Sequence, residues 1–175
     1  PAFVLRDDQC HIATYEAGGK TQVSIKQTAD KAIINWDTFN VGRDTTVNFQ
    51  QSADWAVLNR VNNATAPSQV QGAIKANGTV LILNQNGIVF SGSSQINVRN
   101  LVAAATAFDD SQFKSNGLYS PGTAPTFTNA GGKVRVEQGA RIETHAPASS
   151  TAGGGYVLLL GSEVDNAGTL STQKG

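Results

Sequence analysis

The sequence predicts an all-β protein: a parallel β-helix, a solenoid of three-strand rungs. Three observations predict it. First, apolar runs are short and the corners between them are close. Within residues 77–105, the runs 80–83, 88–90 and 96–98 are divided by the polar corners 84–87 and 91–95, and no helix of ordinary length fits between such corners. Second, the units recur. Gly78, Gly132 and Gly155 each lead into a strand, at Val80, Val134 and Val157, and Asn129-Ala130-Gly131 is nearly repeated as Asn166-Ala167-Gly168. Self-similarity at roughly 20 residues is the mark of a solenoid. Third, only 15% of the 175 residues are charged while 18 are Gly, so Asn, Gln, Ser and Thr supply the polarity, as suits pleated faces and tight turns. An antiparallel sandwich is the rival architecture, but its longer strands would more often meet in two-residue hairpin turns.

Taken in order, Phe3-Val4-Leu5 reads as a short strand and 17–20 as a turn. Val23 and Ile25 alternate with Ser24 and Lys26, a half-buried strand. The run 32–41 slips in apolar parity between Trp36 and Phe39, which predicts a bend near Asp37-Thr38. Val47 and Phe49 mark another strand, and 54–61 follows with Val57 and Leu58 buried. Gly72 divides 69–76 into two short strands. After Ala105 the pattern dissolves: 108–128 is an excursion from the coil, with Asp109 or Asp110 capping a short helix over 111–114. Strands return at 133–137, 140–143, 156–160 and 169–172, with a loop at 145–150.

The bulk numbers exclude several functions. Net charge is zero, so no basic patch grips phosphates and no nucleic-acid partner is expected. No apolar window approaches the ~18 residues of a membrane span. A single cysteine, Cys10, allows no internal disulfide. Cys10 and His11 are adjacent, hence on opposite faces of a strand, and have no third ligand nearby. No nucleophile elbow, His-Glu-x-x-His or phosphate loop is present. The charges Lys133, Arg135, Glu137, Arg141 and Glu143 are mixed in sign and sparse, unlike a lyase cluster. No catalytic residue, metal or cofactor is expected.

Several blocks together resemble one family. They are Lys31-Ala-Ile-Ile-Asn-Trp-Asp-Thr-Phe-Asn-Val-Gly42, Ala56-Val-Leu-Asn-Arg-Val61, Pro67-Ser68 with Gly72, the run 78–90 and the run 96–103. Their order and spacing resemble the two-partner secretion (TPS) domain of filamentous-haemagglutinin-type bacterial exoproteins, over most of the chain from about Val23. The resemblance implies a right-handed β-helix with an N-terminal cap and extra-helical strands. It also implies a single secretion domain over 1–175, with 1–30 as the cap, at the N-terminal end of a larger exoprotein. The partner implied is an outer-membrane β-barrel transporter. Its periplasmic POTRA domains would recognise this domain while extended, and the domain would then fold outside, at the cell surface or in the medium, as a monomeric template for the C-terminal remainder of the same protein. One departure stands out: the family's Asn-Pro-Asn-Gly-Ile corner is here Asn84-Gln85-Asn86-Gly87-Ile88, and its Asn-Pro-Asn-Leu motif is absent.

The residues that match the family's motifs are Asn35, Trp36, Phe39, Asn40, Asn59, Arg60, Asn84, Gln85, Asn86, Gly87 and Ile88. Each is a candidate for transporter recognition and also has a plainer reading. Asn84, Asn86 and Gly87 make a corner, with Gly87 free to adopt positive φ. Trp36 and Phe39 pack in the core or cap. Arg60 lies on a solvated turn, with Asn59 bonding backbone. The alternative function is a β-helical adhesin or glycan-binding domain acting directly on host or matrix.

Overall fold

Continuous apolar runs and alternating ones sort the strands into two kinds. The computed structural model, which describes residues 9–62, 64–118, 125–146 and 154–173, shows why. The elements run β1 (Cys10–Ala17), β2 (Lys20–Gln27), β3 (Lys31–Trp36), β4 (Thr45–Gln50), β5 (Ala56–Val61), β6 (Ser68–Val70), β7 (Ala73–Ala76), β8 (Thr79–Leu83), β9 (Gly87–Phe90), β10 (Gln95–Val98), β11 (Asn100–Ala104), β12 (Ala107–Phe108), α1 (Asp110–Asn116), β13 (Phe127–Thr128), β14 (Lys133–Val136), β15 (Arg141–Thr144), β16 (Val157–Leu160), β17 (Glu163–Asn166) and β18 (Thr169–Ser171). Successive strands visit three parallel sheets in turn. A seven-stranded sheet has the order β1-β2-β4-β7-β10-β15-β18, a five-stranded one β16-β11-β8-β5-β3, and a four-stranded one β17-β14-β9-β6. The result is the expected parallel β-helix. Val41 bridges Val70, so the bend after Trp36 carries the first coil past the four-stranded sheet.

Pairing is antiparallel in only two places among the described residues. β1 folds back on β2 through a turn in which Gly18 and Gly19 have positive φ, and so covers one edge of the seven-stranded sheet. β2 itself, although within 1–30, pairs parallel with β4 and is already a strand of the coil. The second case is β12 with β13, outside the coil. The predicted strand at Phe3-Val4-Leu5 and most of the predicted 145–150 loop lie outside the described residues.

The interior is built of register-matched columns. Val23, Val47, Ile74, Ile96, Ile142 and Leu170 stack in line through the seven-stranded sheet. All are buried except Leu170 in the last strand, which is 38% exposed. Each buried aliphatic side chain stabilises the fold by roughly 1.5–3 kcal/mol. On the four-stranded sheet the outer face carries charge: Lys133 pairs with Glu163 at 2.6 Å and Arg135 with Asp165 at 3.6 Å. These pairs lie across from one another in register. The hydrogen bond from Lys133, and then its charge, hold the Glu163 carboxyl below the usual carboxylate range. So Lys133 and Arg135, two of the charges that a lyase reading would group, are neutralised from the neighbouring strand.

The five-stranded sheet differs, because it is buried on both faces. Its inward side chains join the coil interior. Its outward column, Ile33, Leu58, Leu81, Val102 and Leu158, faces the excursion. There Phe108, Phe113, Leu118 and Phe127 form a second apolar core against it. The Phe108 and Phe127 rings stack 4.9 Å apart. Asp109 caps α1, its carboxylate accepting from the Gln112 backbone N–H at 2.9 Å, and the helix is longer than the 111–114 expected. The excursion therefore leaves the coil only to pack on its outside.

One sequence expectation is corrected. Gly78 and Gly155 do precede strands of the same sheet, but Gly132 leads into β14 of the four-stranded sheet. The three units are out of phase, because Gly punctuates every kind of corner and not one kind. The two Asn-Ala-Gly copies also differ: Asn129 has a φ of 55°, whereas Asn166 ends β17 and its side chain accepts from the Gly168 N–H.

Replacing Phe113, which is fully buried, by Ala is expected to cost about 3–5 kcal/mol, read as a lower urea midpoint. Tyr15→Ala, at a side chain 63% exposed, is expected to stay within about 0.5 kcal/mol of the parent. Comparable midpoints for the two would show that the outer layer adds nothing to stability.

Candidate functional site

The turns leading from the five-stranded to the four-stranded sheet stack along one edge of the coil. All the residues singled out in the sequence lie on or beside this edge, but they do not form one exposed patch. They divide into interior pegs, corner ties and a tether.

Trp36 and Asn59 are the pegs. Both are buried, and the Trp36 Nε1–H donates to the Asn59 Oδ1 at 3.0 Å. The Asn59 Nδ2 in turn donates to the Leu81 carbonyl at 3.1 Å. Asn59 thus sits in an inward column between Ile34 and Ile82 and joins three successive coils, β3, β5 and β8. The Phe39 ring packs edge-on against Trp36 at 5.3 Å. The core reading of Trp36 and Phe39 holds.

The corner ties are asparagines. Asn35 Oδ1 accepts from the Asn62 side chain at 2.8 Å, and Asn40 Oδ1 accepts from the Gln69 backbone N–H at 2.8 Å. Asn84, 1% exposed, donates to the Ala66 carbonyl and to the Ser68 hydroxyl, each at 3.1 Å. Asn86 donates to the Ala64 carbonyl at 2.6 Å. The segment between β5 and β6 is therefore tied from both sides. Ser68, the hydroxyl partner of Asn84, is itself buried.

Asn84, Gln85, Asn86 and Gly87 form a β-turn, closed by the Gly87 N–H on the Asn84 carbonyl at 2.9 Å. The Asn84 side chain also accepts from the Asn86 N–H at 3.0 Å, the usual asparagine turn. Gly87 has a φ of 121°, and a Cβ there would lie 2.7 Å from the Lys133 carbonyl. The next residue, Ile88, is fully buried, whereas Gln85 and Asn86 are exposed.

Arg60 is the tether. It lies on β5 and not on a solvated turn, and its guanidinium donates to the Phe108 carbonyl at 2.9 Å and pairs with Asp110. Sequence reasoning missed this role, because Asp110 is 50 positions away and read as a helix cap. Two grooves flank the tied segment. One of about 320 Å³ is bounded by Phe39, Asn40 and Pro67; the other, about 350 Å³, by Arg60, Gln85, Asn86 and Thr106. Neither holds a set of acids or nucleophiles, and no group of three metal-ligating side chains exists among the described residues. Cys10 is buried while His11 is exposed.

Three substitutions test the pegs and the corner. Asn59→Leu strands the indole N–H and the Leu81 carbonyl, at an expected cost of about 1–3 kcal/mol in denaturant unfolding. Gly87→Ala is expected to lower the thermal midpoint through both its φ and the Lys133 contact. Gln85→Pro is expected to raise stability by about 0.4–1 kcal/mol, by restricting the unfolded chain. Destabilisation by Gln85→Pro would mean that this turn position does not accept the φ of proline.

Comparison with known proteins places this edge in a family. A profile described as the TPS secretion domain matches residues 8–175. The heme/hemopexin-binding protein of Haemophilus influenzae is 32% identical over 104 residues, which is 59% of this chain and 11% of that protein. The solved HMW1 secretion domain from Haemophilus influenzae superposes with a TM-score of 0.69 at 25% identity, covering 93% of this chain and 40% of the other. This chain thus spans a small part of the curated relative and less than half of the solved one. The chain belongs to the TPS secretion domains, the secretion modules of two-partner exoproteins that reach the cell surface or medium through an outer-membrane transporter.

Proposed function

We propose that this domain is recognised in an extended state by the periplasmic POTRA domains of its transporter, and then folds outside as the template on which later coils stack. The observation that supports the template half is the register stacking of the coil. From β4 to β18 each strand of the seven-stranded sheet lies parallel on the edge of the strand one coil earlier, with its apolar residues in line. An edge presented by one coil thus sets the alignment of the next.

The recognition half rests on where the motif residues lie. In the folded coil Trp36, Asn59, Asn84 and Ile88 are buried and Arg60 is engaged with the excursion. A partner reading them as a set meets them only before folding. Extended segments then pair with a sheet edge of the partner by strand addition. No catalytic step enters this reading.

The test is a titration of a cognate POTRA fragment with two forms of the domain in one buffer. One is the folded parent. The other is unfolded by Ile74→Asp with Ile96→Asp, which puts two carboxylates into the interior column. Tighter binding of the unfolded form is expected. Equal or tighter binding of the folded parent would refute recognition of the extended chain.

A further inference from the structure

The outer face of the seven-stranded sheet, on a different side of the coil from the motif edge, carries features that the proposed recognition and template roles leave unexplained. Two adjoining grooves of about 350 Å³ and 230 Å³ lie along it and share Lys20 and Thr46. Their floor follows one register column across five strands: Tyr15, Gln22, Thr46, Ala73 and Gln95. With strands about 4.8 Å apart, the column runs roughly 19 Å. It offers side chains with hydrogen-bonding groups at nearly every step.

Three cations line this track, Lys20, Arg43 and Lys75, all exposed. None of them makes an ion pair among the described residues, although Lys31, Arg60, Lys133, Arg135 and Arg141 all do. Asp44 is the single acid lining the grooves. Farther along the same face Arg141 and Glu143 neutralise each other at 3.0 Å. Three cations without an ion pair thus face one acid over these two adjoining grooves. At its end stands Tyr15, the large exposed aromatic of β1.

We propose that this track binds an extended anionic polysaccharide. Each feature fits that ligand chemistry. A sugar chain advances per residue by about the spacing of strands, so a regular row of Gln and Thr side chains meets its hydroxyls in step. Unpaired Lys and Arg attract its sulfate or carboxylate groups. An exposed Tyr ring offers a flat apolar surface to the face of a sugar. A nucleic acid would require a denser basic stripe.

The test uses the folded domain and a short dextran sulfate fragment, followed by calorimetry. Neutral dextran and phosphatidylserine vesicles serve as comparison ligands. Selective binding of dextran sulfate, weakened by salt, is expected. Replacing Lys20, Arg43 and Lys75 together by Gln is expected to weaken it about tenfold or more. Tyr15→Ala is expected to weaken it severalfold while leaving the salt dependence unchanged. All four side chains are exposed, and an unchanged thermal midpoint checks that the fold is kept. Equal affinity of the triple variant, or equal binding of neutral dextran or of the vesicles, would overturn the proposal. None of these outcomes bears on POTRA recognition, since the motif edge is left intact.

Discussion

Parallel stacking leaves register unspecified by local turns, and the rest of this structure depends on how that is solved. A hairpin sets its own alignment, but strands separated by a whole coil do not, and a slip of one residue turns every side chain to the wrong face. Here buried amides fix the alignment. Asn59 bonds Trp36 on one side and the Leu81 carbonyl on the other. A slip would leave these groups unpaired in an apolar interior. At another corner, Gln51 donates to Gln27 at 2.8 Å, and Gln27 donates to the Ala29 and Ala56 carbonyls. The long aliphatic columns supply most of the apolar burial, but an Ile column alone would tolerate displacement along the strand.

The second organising feature is the two-sided burial of the five-stranded sheet. The seven- and four-stranded sheets keep a wet face and alternate, as Lys133-Val134-Arg135-Val136 does. The five-stranded sheet has no wet face at its centre, and its strands read as near-continuous apolar runs. The excursion between β11 and β14 exists physically to cover that face. Arg60 ties down the start of this cover, and Phe113 anchors its helix.

Much of this was legible in the residues. Close corners marked the strands, the parity slip after Trp36 marked a bend, and Gly72 marked the hinge between β6 and β7. What remained hidden involves partners far apart in sequence. The runs 80–83 and 157–160 carry the signal of a doubly buried sheet, yet nothing local says which segment covers them. Arg60 and Asp110 are likewise unreadable as a pair. Gly132 misled because a glycine needed for close packing looks the same as one that begins a unit. The motif asparagines were readable as corner formers, but not as ties to Ala64, Ala66 and Ser68, since those bonds cross from coil to coil.

The signature corner has one more property, set by glycine. When the chain returns from the excursion, Gly131 passes against the Gln85 carbonyl, and Gly132 lies so close to Asn86 and Gly87 that a Cβ would come within 2.4 Å of their backbone. The returning backbone lies flat over the turn, and Lys133 then pairs with Gly87. Corner and return strand fit together like a latch and its plate. Anything resting on that face of the corner must leave before the next coil can close. Occupancy of that face from outside and closure by the returning strand are mutually exclusive, so this side of the corner is accessible only while the next coil is incomplete.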